Sequence, residues 1–465
     1  MAVGSRSRHR EGVGYPAGSR LGPTANCELR TVNGSPNLLA LNPSLSPIPS
    51  GTLRDVAIRT TQEALTALSK LTNFERTRAD GPRDFNLDRP RALLRALGHP
   101  DRKIGARVVQ VAGTKGKGST ARFVDSILRA TGMRTGRFLS PHLADVRERI
   151  SVNGEWISEE DFGRHIAAVI NAVDGRTTFF EALLAAACLH FSEQQTDAVV
   201  LEVGLGGRLD ATTAVPASHT IITSIGLEHT EILGDSLEAI AEEKAATIRY
   251  GVPVWSGVSP ATPEGALIRS VALHREAPFH LVQPPGELTI EPDGLRWRGR
   301  LLHTLGVHQA HNAALAAACC SDLPQQAIDV GLEHAEQPGC CERRGNVIVD
   351  GAHTVESIAA TIGAIQLHLP GVKPVLVFAL AADKDLDRIA SILSPYVADV
   401  VCTRVDDRRG RTAEELAANP AWGGRAKAVP DAGAALTLAQ DWAGENGLVL
   451  ATGSMYLAGA LRPLT

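Results

Sequence analysis

The chain lacks several features that mark whole classes of protein. Its 465 residues include only 4% aromatic side chains and seven cysteines. The cysteines form no C-x-x-C pair, and their number is not the even number of a disulfide framework. This cysteine usage argues against a disulfide scaffold and is typical of reduced thiols in a cytoplasm. The formal net charge of −4 gives no strong field for nucleic acid, and no apolar run reaches bilayer length. We therefore predict a cytoplasmic protein without nucleic acid or membrane as a partner.

The N-terminal segment differs in composition from the rest. Residues 1–50 are rich in Gly, Ser, Pro, Asn and Arg and show no apolar period, which predicts a disordered tail. The segment also lacks the apolar core of a secretory signal. The remaining chain is long for a single core, so we expect two domains, 51–337 and 338–465, joined near Gln337-Pro-Gly339.

From residue 51 onward, strand-like and helix-like segments alternate. Several of the predicted strands are continuously apolar, as in sheets covered on both faces, so the pattern indicates an α/β fold with a mostly parallel sheet. Predicted strands are Arg107–Val111, Arg137–Leu139, Asp197–Val203, Thr220–Ile225, Asn346–Val349, Pro374–Phe378, Asp399–Arg404 and Leu448–Ala451. Predicted helices are Glu181–Ser192, Leu237–Arg249, Ala310–Cys320, Val355–His368 and Leu386–Leu393. Residues 280–305, with turn signals at Pro284-Pro-Gly and Pro292-Asp-Gly, predict a small antiparallel excursion.

The stretch Val108–Thr120 combines an apolar run, a glycine-rich turn with Lys117, and the start of a helical pattern at Ser119-Thr120. Bare backbone N–H groups and the positive end of a helix bind phosphate, and a lysine reaches the outer phosphates. The spacing differs from the common P-loop, because Gly113 is only three positions before Gly116 and Gly118 precedes Ser119. A tight turn without a ligand is the alternative; the glycines, hydroxyls and lysines favour phosphate binding.

Three other predicted strands deliver polar residues to the same edge. Ser140 follows Arg137–Leu139, Glu202 lies at the end of Asp197–Val203, and Glu228-His229 follow Thr220–Ile225. Ligands of open α/β sheets bind at the carboxyl ends of the strands. A hydroxyl, a carboxylate and an imidazole near a triphosphate can complete the shell of Mg²⁺, although histidine is an unusual ligand for it. Each residue also has a structural alternative: a turn at Ser140, a pair of Glu202 with Arg208, and a cap at His229.

The second half has a polar rim of its own. Asp350 and His353, Asp383-Lys384, and Thr452-Gly-Ser454 all follow predicted strands, so a cleft between the two domains is the natural active site. Lys244 follows two glutamates on a predicted helix and is most simply a surface residue.

Taken together, these segments resemble the folylpolyglutamate synthase/dihydrofolate synthase family of Mur-type ATP-dependent amide ligases. The resemblance runs from about Leu65 to Leu461, and its blocks are Gly113-Thr-Lys-Gly-Lys-Gly-Ser-Thr120, Ser140-Pro-His-Leu143, Glu148-Arg-Ile150, Glu202-Val-Gly-Leu-Gly-Gly-Arg-Leu-Asp-Ala-Thr212, Ser224-Ile-Gly-Leu-Glu-His229, Glu243-Lys-Ala245 and Asp350-Gly-Ala-His353. The Glu202–Thr212 block is specific to the folate branch, and the glycine-rich block marks the wider superfamily.

The resemblance implies a P-loop ATPase domain followed by a smaller Rossmann-like domain, and a monomer that uses ATP and Mg²⁺. It implies that an acceptor carboxylate is phosphorylated and then attacked by the amine of L-glutamate, the acceptor being dihydropteroate, a reduced folate, or both. Lys117, Lys244 and His229 are the implied catalytic residues, and Lys244 matches a lysine that the family can carbamylate. The implied ATP contacts are Gly113, Thr114, Gly116, Lys117, Gly118, Ser119, Thr120, Asn312 and Asp350. The implied Mg²⁺ ligands are Ser140, Glu202 and His229, and the implied pterin contacts are Thr178, Phe179, Phe180, Glu181, Leu209, Asp210, Ala211 and, more loosely, Asp84–Asn86.

The chain departs from the family at four positions. The family's arginine at the domain joint is Cys340 here, and Arg343 or Arg344 is the expected substitute. Thr213, Ala246 and Thr354 also replace family residues. Two alternatives follow, namely a diverged ligase with another acceptor and a folate- or nucleotide-binding paralogue with weakened catalysis.

Overall fold

The protein is described here from a computed structural model that covers residues 58–75, 85–173, 176–405 and 410–465. The predicted tail 1–50 and Asp84 lie outside these residues. Within the described ranges, no helix is both long and apolar enough to cross a membrane.

The described helices and strands alternate through most of the chain. The helices are α1 Thr61–Leu68, α2 Asp88–Ala96, α3 Lys117–Ala130, α4 Glu159–Ala172, α5 Phe179–Glu193, α6 Thr230–Leu233, α7 Leu237–Ala245, α8 Pro263–His274, α9 Val307–Cys319, α10 Gln325–Glu333, α11 Val355–His368, α12 Leu386–Leu393, α13 Ala413–Ala417, α14 Ala432–Ala443 and α15 Met455–Leu461. The strands are β1 Arg107–Ala112, β2 Thr135–Phe138, β3 Ile150–Val152, β4 Glu155–Trp156, β5 Ala198–Glu202, β6 His219–Ile222, β7 Val254–Ser256, β8 Phe279–Leu281, β9 Leu288–Glu291, β10 Gly294–Trp297, β11 Arg300–Leu302, β12 Glu342–Arg344, β13 Val347–Val349, β14 Val375–Phe378, β15 Val400–Cys402, β16 Ala426–Ala428 and β17 Val449–Thr452.

The first half is built on an eight-stranded sheet with the order β4-β3-β2-β5-β1-β6-β7-β8. Six neighbouring strands pair in parallel, namely β2, β5, β1, β6, β7 and β8, and β3 and β4 add an antiparallel edge. Every residue of β5 is buried, because helices cover both faces of the sheet. The carboxyl ends of β2, β5, β1 and β6 therefore lie side by side at one edge.

Helix α3 carries the phosphate-loop segment into the core. Its apolar face, Phe123, Val124, Ile127 and Leu128, is fully buried against β1 and against helices α9 and α10, as its 3.6-residue period predicts. The helix begins at Lys117, two residues earlier than predicted, because Gly116 adopts a φ of +83° and forms its N-cap. Gly132, with a φ of +88°, lies just beyond the helix end, as expected for a stop signal.

Two further sheets complete the fold. Strands β9, β10 and β11 form the antiparallel excursion predicted for residues 280–305. The second half has a six-stranded sheet with the order β12-β13-β17-β14-β15-β16, which is parallel except for β12. The type of each predicted element is confirmed. Its bounds are often shorter, as in β6 and α7, because apolar residues continue into the loops that follow.

The Ser140–Leu143 loop connects the first sheet to the second half. Leu143 is buried in the core cluster that contains Val349 of β13 and Leu457 of α15. A β-carbon on Gly459 of α15 would collide with the carbonyl of Leu143. The loop that carries Ser140 is therefore held by close packing against the second half of the chain.

Candidate functional site

The P-loop, Gly113–Gly118, is fixed to the end of the neighbouring strand β6. Thr114 N donates to Ser224 O at 2.8 Å, and Lys115 N donates to Ser224 Oγ at 3.0 Å. Thr223 Oγ1 donates back to Lys115 O at 2.6 Å. These bonds hold the turn without using the N–H groups at the start of α3, so the helix end remains able to bind an anion.

Two glycines of this loop are required by close contacts. A β-carbon on Gly113 would collide with the hydroxyl of Thr223, and one on Gly116 would collide with the side-chain oxygen of Asn312. Asn312 is itself buried, and its amide donates to Gln309 Oε1 at 3.0 Å. The structure thus brings Asn312, which is 196 residues from Gly116 in sequence, against the turn.

The side-chain amine of Lys117 forms few contacts within the protein. Its Nζ donates to Thr114 O at 3.1 Å, the one hydrogen bond of this amine among the described residues. The side chain is half-buried at the mouth of the loop. An incoming phosphate can displace this single neutral bond and gain a charge-assisted one.

Glu202 and Ser140 meet at the ends of β5 and β2. Glu202 Oε2 accepts from Ser140 N at 2.9 Å, and Glu202 Oε1 lies beside Gly118 of the P-loop. Burial raises the pKa of Glu202, and the positive charge of Lys117 opposes that rise. A buried carboxylate is stabilised by a nearby cation, so Glu202 fits the role of a Mg²⁺ ligand.

His229 comes from a different loop, the one that leads into α6. It has a φ of +47° at the start of α6, and its ring is exposed. Within the described ranges, no three His, Cys, Asp or Glu side chains form a group able to hold a metal ion. Ser140 and Glu202 touch, and His229 shares with Glu202 the electrostatic influence of Lys117. The predicted trio of Ser140, Glu202 and His229 stays a prediction. The donors fit Mg²⁺ if phosphate oxygens and water supply the rest of the shell.

The interpretation of Lys244 as a surface residue is wrong. Its side chain is only 1% exposed, and its Nζ donates to Glu228 Oε1 at 3.0 Å. Lys244 follows Ile240 and Ala241 by four and three positions, so it belongs to the buried face of α7. The preceding glutamates point the other way, where both pair with Arg208. This arrangement also removes the alternative that Arg208 pairs with Glu202.

Sequence reasoning named Glu228 only as the neighbour of His229. The structure makes it the partner of Lys244, and no local signal indicates this because the two residues are 16 positions apart. Burial lowers the pKa of Lys244 to about 8, and the charge of Lys117 adds to the effect. Two lysines therefore lie within electrostatic reach of each other at this edge of the sheet.

The second half contributes a histidine to the same region. His353 Nδ1 lies 2.8 Å from Gly351 O, and the pKa of His353 is lowered by burial and by the charges of Lys384 and Lys115. Lys115 belongs to the P-loop, so residues that follow β13 and β1 lie within electrostatic reach of each other. An active site in a cleft between two domains stays a prediction.

Asp350 is used inside the protein. Its Oδ1 accepts from Cys341 N at 3.0 Å, and its Oδ2 accepts from the hydroxyl of Thr361. Burial raises the pKa of Asp350. The carboxylate thus anchors the joint segment to α11, and an additional ATP contact stays a prediction.

The other polar residues that follow strands of the second half also have partners. Thr452 Oγ1 donates to Ala352 O at 3.4 Å, and Ser454 caps α15. Asp383 and Lys384 pair with each other at 3.0 Å. These contacts shape the rim around His353.

Arg343 and Arg344, the expected substitutes for the arginine that is missing at Cys340, both have partners within the protein. Arg343 Nη1 donates to Pro292 O at 2.8 Å, and Arg344 Nη1 pairs with Glu342 Oε1 at 3.2 Å. Among the described residues, neither guanidinium has a hydrogen bond to the P-loop. The thiol of Cys340 contacts Ser119 instead, and its burial raises its pKa to about 11, so it is neutral.

The remaining departures have local explanations. Thr354 caps α11 through a reciprocal bond with Ser357. Thr213 Oγ1 donates to Gly207 O at 2.8 Å, and Ala246 ends α7. Each replacement is compatible with the observed backbone.

The predicted pterin segment Thr178–Glu181 begins helix α5. Thr178 and Glu181 form a capping box, and Glu181 Oε1 also accepts from Arg89 Nη2 at 3.0 Å. Phe179 is buried, with the guanidinium of Arg149 over its ring at 5.6 Å. Phe180 is half-buried and packs edge-on against Phe138 at 5.4 Å, so it is the member best placed to offer an aromatic surface.

The second predicted pterin segment is organised by Asp210. Its Oδ2 accepts from Gly204 N and from Leu205 N, both at 3.0 Å, and its Oδ1 accepts from Thr212 N at 3.0 Å. The carboxylate therefore shapes the loop after β5 and has little capacity left for a ligand. Leu209 is half-buried and Ala211 is buried, so Leu209 is the more accessible of the two.

The looser candidate Asp84–Asn86 is only partly described. Asn86 Oδ1 accepts from Arg89 N at 3.0 Å, and Phe85 packs on Phe74 with ring centres 5.0 Å apart. Because Arg89 also binds Glu181, this segment lies close to the start of α5.

Comparisons with known proteins agree with this geometry. Residues 111–250 match the family model of the Mur ligase middle domain, and residues 340–455 match the Mur ligase glutamate ligase domain. The dihydrofolate synthase/folylpolyglutamate synthase of Bacillus subtilis is 32% identical over 413 residues, which are 81% of this chain and 94% of that protein. This chain belongs to that family. Its Mycobacterium tuberculosis relative is 31% identical over 447 residues, with 82% and 90% of the two chains covered.

Solved structures of the family share the fold. Escherichia coli FolC in complex with DHPP and ADP superposes with a TM-score of 0.72 and 30% identity, covering 86% of this chain and 97% of that one. The Yersinia pestis bifunctional enzyme complexed with AMPPNP and Mn ion has a TM-score of 0.71 and 28% identity, covering 88% and 98%. The predicted α/β fold of a P-loop Mur-type ligase with a Rossmann-like second half is thus confirmed.

Proposed function

We propose that this protein is an ATP-dependent ligase that adds L-glutamate to dihydropteroate, to the glutamate tail of reduced folates, or to both. The observation that carries the proposal is the convergence of a P-loop, a buried carboxylate and the rim of the second half. Lys117 acts electrostatically on Glu202, and Lys115 acts on His353. Family membership supplies the substrate class.

The proposed residue roles follow from the geometry. The N–H groups of Gly116–Ser119 and the amine of Lys117 hold the ATP phosphates, with Gly113, Thr114, Thr120 and Asn312 shaping the turn. Glu202, Ser140 and His229 would hold Mg²⁺, which neutralises charge on the transferring phosphoryl group when it is bound. Leu209, Phe180 and their neighbours in both pterin segments would form the walls for the acceptor.

The proposed reaction has two steps. An oxygen of the acceptor carboxylate attacks the γ-phosphorus, the bond to the leaving oxygen of ADP breaks, and an acyl phosphate forms. The amine of L-glutamate then attacks the acyl carbon, phosphate leaves, and the amine loses a proton to give an amide. Lys117 stabilises the charge that develops on the phosphoryl oxygens, and packing of the Ser140–Leu143 loop positions the reacting groups.

Three broader features belong to the same proposal. The chain consists of an ATP-binding domain, 51–337, and a ligase domain, 338–465, and it acts as a monomer on small-molecule substrates. Lys244 carries a carbamate during turnover, because its buried amine is readily deprotonated. Cys340 favours a second candidate, a paralogue that binds nucleotide or folate with little turnover.

The test is phosphate release by the purified full chain with ATP, Mg²⁺ and L-glutamate, comparing dihydropteroate with reduced folate mono- and diglutamates. Amide product, identified by mass, is expected with at least one acceptor. Lys117→Ala is the matched control, expected to fold normally and to lose at least about a hundredfold in rate. Absence of product with every pteroate and folate acceptor would contradict the proposal. Ligand binding without turnover would favour the weakened paralogue.

A further inference from the structure

The imidazole of His142 is held by an arginine whose own position is fixed. Arg149 Nε donates to His142 Nδ1 at 2.8 Å. The Nη1 and Nη2 atoms of Arg149 donate to the two carboxylate oxygens of Glu75, at 2.7 and 2.6 Å. The side chain of Arg149 is only 1% exposed, and its guanidinium lies over the ring of Phe179 at 5.6 Å. These contacts fix the orientation of the guanidinium and, through it, that of the imidazole.

The bond from Arg149 decides which nitrogen of His142 carries a proton. A guanidinium nitrogen can only donate, so Nδ1 of the histidine must accept through its lone pair. The proton of the neutral ring is therefore on Nε2, which becomes a hydrogen-bond donor. Among the described residues, Nε2 has no hydrogen-bond partner, and the ring is half-buried. The structure thus offers one N–H group in a fixed direction to a ligand.

The neighbours of His142 connect two parts of the candidate site. Two residues before it, Ser140 N donates to Glu202 Oε2, and the positive charge of Arg149 also acts on Glu202. On its other side, Arg149 lies over Phe179 in the predicted pterin segment. A pteroate or folate acceptor carries its ring at one end and its reacting carboxylate at the other. His142 is therefore placed where the acceptor passes from the pterin segment to the site of phosphoryl transfer.

We propose that His142 donates a hydrogen bond from Nε2 to the acyl oxygen of the acceptor, and that Arg149 positions the imidazole for this contact. The inference rests on the proposed function and adds two residues to it. His142 would touch the substrate and so be a catalytic residue, whereas Arg149 would act through His142 and be a positioning residue. Neither residue follows a predicted strand directly, and neither has a role in the proposed function above.

The hydrogen bond matters most in the second step of the reaction. When the amine of L-glutamate attacks the acyl phosphate, the C–N bond forms and an electron pair of the carbonyl moves onto the acyl oxygen. The carbonyl is restored when phosphate leaves with the electron pair of the C–O bond, and the amine proton passes to solvent. A fixed N–H group stabilises the oxyanion more than the uncharged carbonyl, because the charge develops only on attack.

A phosphate oxygen of ATP is the less suitable partner for this donor. The nucleotide phosphates have their own donors in the N–H groups at the start of α3 and in Lys117. His142 comes from the loop after β2 and is held from the side of Phe179. The experiment separates the two partners by following each step of the reaction.

The experiment uses the full chain and two substitutions of His142. His142→Gln keeps an N–H donor at nearly the same reach from the backbone, and His142→Leu removes the donor. Arg149→Lys tests the positioning, and Arg107→Lys is its matched control, because Arg107 also binds one carboxylate, that of Asp322, through two nitrogen atoms at 2.7 and 2.9 Å. Formation of ADP and of the amide is followed in the same single-turnover reactions by rapid quenching, with ATP and L-glutamate saturating.

The two steps should respond differently. In His142→Leu, amide formation is expected to slow by about a hundredfold and ADP formation by less than about threefold, so that acyl phosphate accumulates. His142→Gln should recover to within about tenfold of the wild type, and Arg149→Lys should slow the amide step by about tenfold, whereas Arg107→Lys should not. Equal losses in His142→Gln and His142→Leu, or an effect confined to ADP formation, would overturn the inference.

Nuclear magnetic resonance tests the positioning without turnover. In the full chain labelled with nitrogen-15 at histidine, long-range proton–nitrogen spectra distinguish the two neutral forms of the ring, and the signal of His142 is the one lost in His142→Leu. The form with the proton on Nε2 is expected in the wild type and in Arg107→Lys. Arg149→Lys should show a mixture of both forms, as should Glu75→Gln, which supplies a second variant if Arg149→Lys does not fold. A wild-type ring protonated on Nδ1 would overturn the inference.

Two further outcomes separate this inference from a structural role and from the proposed function. A lowered thermal midpoint of His142→Leu with unchanged amide formation would make the imidazole only a structural partner of Arg149 and would contradict the inference alone. A wild type that forms no amide with any pteroate or folate acceptor would contradict the proposed function, and the inference with it.

Discussion

Lys244 Nζ lies 3.0 Å from Glu228 Oε1, on a lysine side chain that is only 1% exposed. Burial lowers the pKa of this amine to about 8, so its neutral fraction near neutral pH is far larger than that of an ordinary lysine. A neutral amine is the form that reacts with carbon dioxide. The burial of Lys244 thus provides a physical basis for the carbamylation that the family resemblance implies.

The first prediction concerns this modification. Turnover should fall in buffer depleted of carbon dioxide and return when bicarbonate is added. Lys244→Ala should lose at least about a hundredfold in rate, because an anionic group near the phosphoryl transfer is removed. Added short carboxylates should restore part of the rate in Lys244→Ala and not in the wild type. A wild-type rate independent of bicarbonate would show that the unmodified amine is the working form.

The second prediction follows from the same pKa. The pKa of Lys244 is about 8 in the folded protein against an ordinary 10.5, so between these values the unfolded chain binds more protons. The contribution of Lys244 to the free energy of unfolding therefore rises with pH from about 8 to about 10.5 and is constant below that window. Lys244→Met should remove this rise, as measured by denaturant unfolding at pH 7.5 and 10. An identical pH profile in wild type and variant would contradict it.

The sequence predicts the position of residues that directly follow a recognisable strand. It does not predict the burial or the partner of Lys244. The P-loop, Ser140 and Glu202 follow strands that are evident from apolar runs, and the parallel topology brings them together. The helical spacing of Lys244 from Ile240 and Ala241 indicates a buried side chain, whereas the two glutamates before it suggest an exposed one. The sequence alone does not decide between these two signals. Its partner Glu228 comes from another loop, and only the packed structure defines that contact.

The joint segment shows the same limit in another form. Arg343 and Arg344 lie close to Cys340 in sequence, but strand β12 turns them toward Pro292 and Glu342. Strand pairing of β12 with β13 decides their direction, and that antiparallel edge was not predicted. The resemblance likewise implies that Asp210 contacts the pterin, whereas in the structure its carboxylate accepts hydrogen bonds from the backbone of its own loop.

The third prediction tests that structural role of Asp210. Asp210→Asn replaces one of two oxygens that accept backbone N–H groups, so a buried donor loses its partner. The free energy of unfolding should fall by about 2–4 kcal/mol, as measured by denaturant titration. Asp431→Asn is the control, because an asparagine caps α14 as well as an aspartate does. Unchanged stability together with a higher acceptor KM would assign Asp210 to direct pterin contact.

The fourth prediction concerns Glu202. Glu202→Gln keeps an oxygen for the N–H of Ser140, which lies at 2.9 Å, and removes only the charge. Because burial already disfavours the carboxylate, the thermal midpoint should stay equal or rise, whereas the Mg²⁺ concentration for half-maximal rate should rise at least about tenfold. The exposed Glu193→Gln is the control. An unchanged Mg²⁺ requirement would remove Glu202 from the metal site.

The fifth prediction concerns Cys340, where the family has an arginine. The neutral thiol contacts Ser119 at the start of α3. Unlike a guanidinium, it offers a phosphate neither a positive charge nor two parallel N–H donors. Since Arg343 and Arg344 are held elsewhere, alanine at either position should leave ATP affinity within about twofold of the wild type. This expectation reverses the one drawn from sequence.

Cys340→Arg should therefore tighten ATP binding by about tenfold to a hundredfold, the value of one charge-assisted contact. The new guanidinium would also lie near Arg122, so the ligand-free variant should have a lower thermal midpoint that ATP restores. Calorimetric titration with a non-hydrolysable ATP analogue and thermal unfolding with and without it measure both effects, and Cys340→Ser controls for loss of the thiol. If Arg343→Ala or Arg344→Ala weakened ATP binding and Cys340→Arg did not tighten it, one of those arginines would have to leave its observed partner on nucleotide binding.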